Sequence, residues 1–407
     1  MNLGLRVTVL SLATAGLNGQ LWPVEETPSD GPRPCSIYAT PISLRVSQNP
    51  KGIPPEMRLE ALPLIAPEPK HNPTTAAKIE LGRLLFFDPI LSSPKEVSCA
   101  TCHHPRFGWS DGRATPIGVG GDGVGPARTF RGPASLPVIA RNAPTLLNVG
   151  FNGLVANAPA DPAAAPMFWD SRTRSLEQQV LTPLASRGEM REDDCPENEA
   201  VAQAVLRVRA IGEYRERFQT AFDQPASEAV TAEHLAQAIA AFERSLVTSR
   251  SAVDRFLQGD PSALNAGQQR GLRLFQDAGC IQCHGGPMFS DFKLHFIGVP
   301  DSTPGGGREF RTPTLRNLSH TAPYMHNGSL RTLRDVLIFY DELAEAASET
   351  LDGGDTAAQP RLDPLLKHLN LNPEDFPALE AFLEALGHDP YDQTVPPKVP
   401  SGLPVIP

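Results

Sequence analysis

Two copies of a five-residue cysteine–histidine pattern limit what this chain can fold into more than any other feature. In each copy, two residues separate a pair of cysteines and a histidine follows at once; the copies are Cys99, Cys102, His103 and Cys280, Cys283, His284. Thiols at this spacing can reach both vinyl groups of one porphyrin, and the histidine can then ligate its iron. Zinc ligand pairs lie closer along a chain, and a redox dithiol does not need the histidine. The sequence therefore predicts two covalently bound c-type haems.

The N-terminal residues 1–20 contain one basic residue, Arg6, followed by a modest apolar run. This pattern is typical of a weak export signal, with an ordinary N-terminal segment as the alternative. Two covalent haems favour export, because their attachment normally takes place outside the cytoplasmic membrane, and we expect a periplasmic protein. Two further cysteines, Cys35 and Cys195, could form a disulfide or remain free thiols.

Charge and composition bear on whether the chain binds nucleic acid or crosses a membrane. The net charge of −10 argues against nucleic acid. Beyond the N-terminus no stretch approaches the roughly 18 apolar residues that a membrane-spanning helix needs, so we expect none. The 42 prolines imply long, stiff connections between helices.

Apolar periodicity predicts a mainly α fold with little strand. The predicted helices lie at 74–87, 198–222, 231–247, 265–276, 331–347 and 374–387. The similar stretches 82–86 and 271–275 each precede a cysteine–histidine motif, which indicates a duplication. We therefore predict two cytochrome c-like helical domains, each with one haem, joined by long Pro/Gly-rich loops. The predicted division is an export signal at 1–20, a Pro-rich arm at 21–71, haem domains at 72–260 and 265–390, and a Pro-rich tail at 391–407.

The residue opposite each histidine decides whether an iron transfers electrons or reacts with a small molecule. The glycine-rich stretch 117–126 contains no His, Met, Lys or Tyr, so the first iron is expected to be open on one side. Candidates for the second iron are Met288, His295, His320, Met325, His326 and Tyr340. Tyr340 shares a helix face with Leu333, Val336 and Leu337, and taken alone that stripe favours a packed core tyrosine.

Eight separated motifs carry a family resemblance. They are the two cysteine–histidine motifs together with 85-LFFDPILS-92, 141-RNAPTLLN-148, 168-FWDSR-172, 182-TPL with 188-GEM-190, 311-RTPTLRN-317 and 322-APYMHNG-328. In order and approximate spacing they resemble the bacterial di-haem cytochrome c peroxidase family over about 72–390.

The resemblance implies roles around the first haem, which is the peroxidatic one in that family. His103 would be its proximal ligand, and Pro183 would lie over the open iron. Gln179 and Glu189 would bind peroxide and move its proton, with burial raising the pKa of Glu189. Trp169 would pass electrons between the haems. Without the resemblance, the glutamate and glutamine would be surface residues and the tryptophan a core aromatic.

The resemblance also implies a calcium site and a propionate contact. Asn142, with the carbonyls of Thr321 and Pro323, would hold one calcium ion between the haems. Arg311 matches an arginine beside a haem propionate.

Two positions depart from the standard peroxidases. Sixteen residues after His103, where those enzymes carry a histidine that closes the first iron, this chain has Val119. Sixteen residues after Tyr324, where they carry a methionine ligand, it has Tyr340. Both substitutions are those of the MauG and MbnH branch, which implies a second haem held by His284 and Tyr340.

The function that the resemblance implies is peroxide-dependent oxidation of an aromatic residue in a partner protein, through a high-valent di-haem state. One alternative is a peroxidase that removes peroxide with electrons from a small cytochrome or copper protein. Another is a non-catalytic di-haem electron carrier. A homodimer is left open.

Overall fold

The computed structural model describes residues 53–301, 309–352, 362–387 and 390–406, all within one compact unit, Val46–Pro407. The predicted export signal, most of the Pro-rich arm and Cys35 lie outside the described residues. Cys195 is buried, and the choice between a disulfide with Cys35 and two free thiols stays open because Cys35 is not described. In the part of the chain described, no helix is both long and apolar enough to cross a bilayer.

The predicted mainly α fold is confirmed. The described α-helices are α1 Ala76–Phe87, α2 Leu176–Ala185, α3 Ala200–Arg209, α4 Gly212–Phe222, α5 Ala226–Ala229, α6 Ala232–Arg244, α7 Ala252–Leu257, α8 Ala266–Asp277, α9 Leu333–Asp352 and α10 Phe376–Glu384. Short antiparallel ribbons pair β1 Gly121–Asp122 with β2 Thr129–Phe130, β3 Pro166–Met167 with β4 Thr173–Arg174, and β5 Leu294–His295 with β6 Phe310–Arg311.

Each cysteine–histidine motif follows a helix that crosses a second helix at a glycine. In the first half α1 crosses α6, and a Cβ added to Gly82 would lie 2.0 Å from the carbonyl oxygen of Ala238. In the second half α8 crosses α10, and a Cβ on Gly271 would lie 1.9 Å from that of Ala378. Only glycine allows so close a backbone approach. The shared crossing supports the duplication seen in the sequence.

The two halves have separate hydrophobic cores. The first is built largely from α1 to α6, and the second from α7 to α10. The arm and the tail each pack on the half that is distant in sequence. Leu59 of the arm is buried in the second core, whereas Val399 of the tail is buried in the first. The ends of the described chain therefore hold the two halves together.

Candidate functional site

A large cavity runs between the two cysteine–histidine motifs. Its walls include every residue predicted for haem attachment, peroxide chemistry or calcium binding: Cys99, Cys102, His103, Asn142, Trp169, Gln179, Pro183, Glu189, Cys280, Cys283, His284, Arg311, Thr321, Pro323 and Tyr340. The fold thus gathers side chains from both halves around one space, although the motifs are distant along the sequence.

Both motif histidines are oriented by a backbone carbonyl. The Nδ1 atom of His103 lies 3.2 Å from the carbonyl oxygen of Trp109, and that of His284 lies 3.0 Å from that of Phe289. Because a carbonyl only accepts, Nδ1 carries the proton and Nε2 keeps its lone pair for iron. Burial lowers the pKa of His103 to about 4 and also lowers the pKa of His284, which favours the neutral imidazole that an iron ligand needs.

The same backbone turn directs both carbonyls toward the histidines. Trp109 and Phe289 each adopt a left-handed backbone, with φ of 58° and 52°. The hydroxyl of Thr145 donates to the carbonyl of Gly108 at 2.6 Å, and that of Thr314 donates to the carbonyl of Met288 at 2.6 Å. Each threonine belongs to a Pro-Thr motif, so these motifs fix the turns that aim the histidines. The sequence analysis used the two Pro-Thr motifs only to recognise the family and did not predict that their threonines hold these turns.

The four motif cysteines line the same cavity as the two motif histidines. Burial raises the pKa of Cys99 and of Cys280 to about 12, and also raises that of Cys102. These thiols are therefore neutral and face a largely buried space, where a thioether would leave no charge uncompensated. Together with the oriented histidines, this donor set fits a covalent haem at each motif.

Helix α2 and the loop that follows it form part of the cavity wall near Cys102 of the first motif. Gln179 and Pro183 lie on α2, and Glu189 lies in the loop. Burial raises the pKa of Glu189, while the charge of Arg172 and a hydrogen bond with Ser186 oppose the shift. A carboxyl whose pKa is raised holds its proton to higher pH than an exposed glutamate does, which suits a group that both takes and returns a proton.

Val119 occupies the position where a standard peroxidase would carry a closing histidine. It is 1% exposed and belongs to the first hydrophobic core. Its backbone N–H donates to the carbonyl oxygens of Gly188 and Glu189, each at 3.1 Å. The segment therefore supplies no iron ligand at this position and packs on the loop that carries Glu189.

Tyr340 lies on α9 and lines the cavity beside the second motif. Burial is the main cause that raises its pKa, and the nearby thiols of Cys283 and Cys280 add to the shift. Two of the other ligand candidates, His295 and His326, have ring nitrogens within hydrogen-bonding distance of carboxylates. His295 has Nδ1 2.6 Å from Asp363 and Nε2 3.0 Å from Asp291.

The second engaged candidate is His326, whose Nε2 lies 3.2 Å from the Asp301 carboxylate. Its ring is also stacked on Phe310, with ring centroids 3.8 Å apart. These contacts hold its imidazole on a carboxylate and an aromatic ring, which leaves Tyr340 the better placed of these three candidates.

Trp169 is fixed between the halves. Its Nε1–H donates to the carbonyl of Asn142 at 2.9 Å, and its own carbonyl accepts from the N–H of Arg311 at 2.6 Å. Burial lowers the pKa of Arg311 to about 10. Within the described residues the Arg311 guanidinium donates to the carbonyl of Phe168 and lies over the ring of Phe292, with no carboxylate partner, so the acidic propionate of a bound haem would supply a fitting counter-charge.

The three residues predicted for calcium all line the cavity. Asn142 uses its Nδ2 to donate to the carbonyl of Arg113 at 2.8 Å, so its side-chain oxygen is the atom that could coordinate a cation. Thr321 and Pro323 line the same cavity. Oxygen donors of this type suit calcium, and the assignment remains a prediction.

One cavity residue was missed from the sequence. Glu243 on α6 is 4% exposed and lines the cavity, and its Oε2 has no hydrogen-bond partner. Burial raises its pKa to about 8. The sequence offers no signal for this, because Glu243 resembles any charged residue near the end of an amphipathic helix.

Comparison with known proteins extends the likeness along the chain. A family model for di-haem cytochrome c peroxidase matches residues 76–262. The methylamine utilization protein MauG of Methylorubrum extorquens AM1 is 33% identical over 347 residues, covering 82% of this chain and 85% of that protein. The cytochrome c551 peroxidase of Nitrosomonas europaea is 35% identical over 288 residues, covering 67% and 75%.

A solved structure agrees with these sequence matches. The crystal structure of a MauG-like protein associated with microbial copper homeostasis superposes with a TM-score of 0.61 at 29% identity, over 84% of this chain and 95% of that one. The MauG relative and the solved structure each match more than four fifths of this chain. On this ground the chain belongs to the di-haem cytochrome c peroxidase family of haem-dependent oxidoreductases.

Proposed function

We propose that this protein binds one c-type haem at each motif and uses hydrogen peroxide to oxidise an aromatic residue of a partner protein. The observation that carries the proposal has two parts: Val119, buried in the first core, bonds to the backbone of Gly188 and Glu189, and Tyr340 lines the cavity beside the second motif. When bound, the haems supply the iron that reacts with peroxide and holds its oxidising equivalents. Reduction of one peroxide to two waters takes up two protons and two electrons, and the partner's side chain supplies the electrons.

The chain's own residues move the proton. Glu189 would take a proton from the oxygen that approaches the first iron and return it to the departing oxygen. Gln179 would donate a hydrogen bond that orients the peroxide. Pro183 would limit how much water shares the space. Burial of Glu189 supports this assignment, because it raises the pKa of the carboxyl.

Tyr340 and Trp169 would determine where the oxidising equivalents go. A phenolate is a hard anion, so ligation by Tyr340 would favour oxidised iron at the second motif, whereas methionine would favour reduced iron. Trp169, held by Asn142 and Arg311, lines the cavity that contains both motifs and is suited to electron transfer between them. The partner would be oxidised at the protein surface by long-range electron transfer.

A second candidate is a peroxidase that takes electrons from a small cytochrome or copper protein. The cytochrome c551 peroxidase among the relatives favours it, since that protein is as similar to this chain as the MauG relative. In either case we propose a periplasmic protein with haem domains at 72–260 and 265–390 and a calcium ion at Asn142, Thr321 and Pro323.

The deciding experiment adds one equivalent of peroxide to the fully ferric holoprotein, without prior reduction. We expect both ferric EPR signals to fall quickly and to stay low for a long time. Reaction only after one-electron reduction, with rapid turnover of a reduced cytochrome, would favour the peroxidase. Absence of reaction in both states would favour the electron carrier.

A further inference from the structure

The glycine-rich segment between the first motif and α2 is organised around one buried arginine. Arg128 is 5% exposed, and its guanidinium donates to three backbone carbonyls of the 117–128 loop. The distances are 2.7 Å to Ile117, 2.7 Å to Gly118 and 2.9 Å to Gly123. Arginine is suited to this role because its planar fork has five donors in fixed directions. A segment with few side chains is thus given a definite shape by one residue.

A second arginine supports the first. Arg113 donates through Nη1 to the carbonyl of Arg128 at 2.7 Å and to that of Pro126 at 3.2 Å. The ribbon β1–β2 closes the loop, with Gly121 opposite Phe130. The loop is therefore held by side-chain donors from within and by strand pairing at its base.

The far side of the loop lies directly on the backbone that carries Glu189. Val119 donates to the carbonyls of Gly188 and Glu189 at 3.1 Å each. A Cβ added to Gly118 would lie 2.2 Å from the carbonyl oxygen of Gly188 and 2.7 Å from the Cα of Glu189. The contact is thus backbone on backbone, and it requires glycine at 118.

We propose that Arg128 is a positioning residue for Glu189. Its hydrogen bonds to the carbonyls of Ile117 and Gly118 keep the loop in contact with the Glu189 backbone. That contact holds the Glu189 carboxyl in the cavity of the oxidised protein. The inference rests on the proposed function and deepens it. It identifies Arg128 as the residue that keeps Glu189 in place at the first haem site without prior reduction. The loop would otherwise be a flexible, glycine-rich segment.

Three single variants separate the positioning role of Arg128 from an effect of its charge alone. Arg128→Lys keeps the positive charge but cannot make the three directed bonds. Gly118→Ala disturbs the same contact without changing Arg128. Arg131→Gln is the matched control, because Arg131 lies in the same segment but its side chain is 71% exposed in an ion pair with Asp122. Each variant is made in the full holoprotein, alone and combined with Glu189→Gln.

The rate of the ferric holoprotein with peroxide is the main readout. We expect Arg128→Lys and Gly118→Ala to lower it by about tenfold to a hundredfold, and Arg131→Gln to leave it unchanged. In the Glu189→Gln background, Arg128→Lys should cause no further loss, because the residue acts through Glu189. An unchanged rate in Arg128→Lys, or an equal loss in both backgrounds, would overturn the inference.

Amide hydrogen exchange distinguishes failure of the inference from failure of the proposed function. Arg128→Lys should speed exchange in both 117–123 and 186–190, whereas Arg131→Gln should not. If the wild type does not react in the ferric state, the proposed function fails, and the exchange result still decides whether Arg128 holds the Glu189 loop. Unchanged exchange at 186–190 would overturn the positioning role.

Discussion

At the scale of single residues, Glu189 carries the most specific expectation. Its carboxyl must be ionised to take a proton from peroxide, and burial raises its pKa. The reaction rate of the ferric holoprotein should therefore rise with pH through that raised pKa. Glu189→Gln should lower the rate by about a hundredfold and remove this pH dependence.

Stopped-flow absorption across a pH series checks the role of Glu189. The control is Glu192→Gln, three residues further along the same loop and outside the cavity wall. A Glu189→Gln rate within about twofold of the wild type would mean that another group moves the proton.

Glu243 should make the stability of the holoprotein depend on pH. Burial raises its pKa to about 8, Glu177 adds to the shift, and Arg244 opposes it. Between the ordinary pKa of a glutamate and about 8, the folded protein binds more protons here than the unfolded chain, so this contribution to stability is lost as pH rises through that range.

Replacing Glu243 by glutamine should remove that loss. The free energy of unfolding of Glu243→Gln, relative to wild type, should increase with pH by at most about 1.4 kcal/mol per pH unit. Urea unfolding at a series of pH values measures it, with exposed Glu228→Gln as the control. Parallel pH profiles for variant and wild type would show that Glu243 does not titrate in this range.

Sequence motifs predicted the candidate haem, peroxide and calcium residues of the cavity wall. They did not indicate Glu243 or Arg128. The predicted residues occur in short patterns with fixed spacing, so the pattern identifies them. Glu243 lies on a helix and Arg128 in a glycine-rich loop, and neither belongs to a recognisable motif. Their importance comes from burial and from carbonyls that only the folded chain brings together.

At the scale of elements, the two helix crossings should tolerate no side chain at the glycine. Gly82→Ala and Gly271→Ala would each place a Cβ about 2 Å from a carbonyl oxygen of the facing helix. The helices would have to separate, which should cost about 3 kcal/mol or more of the free energy of unfolding.

A control for this crossing lies on the same helix. Gly267 is near the start of α8, and a Cβ there would meet only Asn265 Oδ1 at 3.3 Å. Because alanine favours helix over glycine, Gly267→Ala should be neutral or stabilise by up to about 1 kcal/mol. Urea unfolding compares the variants, and equal effects at 267 and 271 would contradict the close crossing.

Helix boundaries were predictable where a capping residue marks them. The predicted helices at 74–87 and 265–276 are α1 and α8, which begin after the N-caps Thr75 and Asn265. The predicted helix at 198–222 divides into α3 and α4, because Ile211 adopts an extended backbone with ψ of 120°. The apolar period continues through 209–211, and Gly212, which begins α4, is the one local sign of this break. The short helices α5 and α7 were too brief for their apolar period to be recognised.

At the scale of the whole molecule, a buried ion pair joins distant segments. Arg316 and Asp254 are both fully buried, and the guanidinium donates to the two carboxylate oxygens at 2.9 and 2.8 Å. Asp254 also accepts from the N–H of Leu62 in the arm, and Arg316 lies over the ring of Phe289. The pair thus connects the arm, α7 and the turn that orients His284.

Removing one member should leave the other charged and buried. Asp254→Asn should cost about 3–5 kcal/mol of the free energy of unfolding. The exposed pair of Arg270 and Asp375 is the control, where Asp375→Asn should cost less than about 1 kcal/mol. Chemical unfolding of both variants checks this, and similar losses would show that the buried pair is not specially important.

How the two halves meet was not predictable from the sequence. The hydroxyl oxygen of Thr248 accepts hydrogen bonds from the side-chain amides of Asn148 at 2.7 Å and Asn317 at 2.9 Å. These two asparagines end the two related motifs. The sequence showed the repeated motifs, but nothing in their spacing indicated that one threonine would join them. Duplication predicts two similar units, whereas their arrangement depends on contacts that differ between the copies.

The most direct test of the account is the EPR spectrum of the resting, fully ferric holoprotein together with that of Tyr340→Phe. We expect one high-spin signal from the open first iron and one low-spin signal from the iron held by His284 and Tyr340. In Tyr340→Phe the low-spin signal should be lost while the high-spin signal of the first iron persists. Two low-spin signals in the wild type, or an unchanged low-spin signal in the variant, would contradict an open first site and a tyrosine-ligated second one.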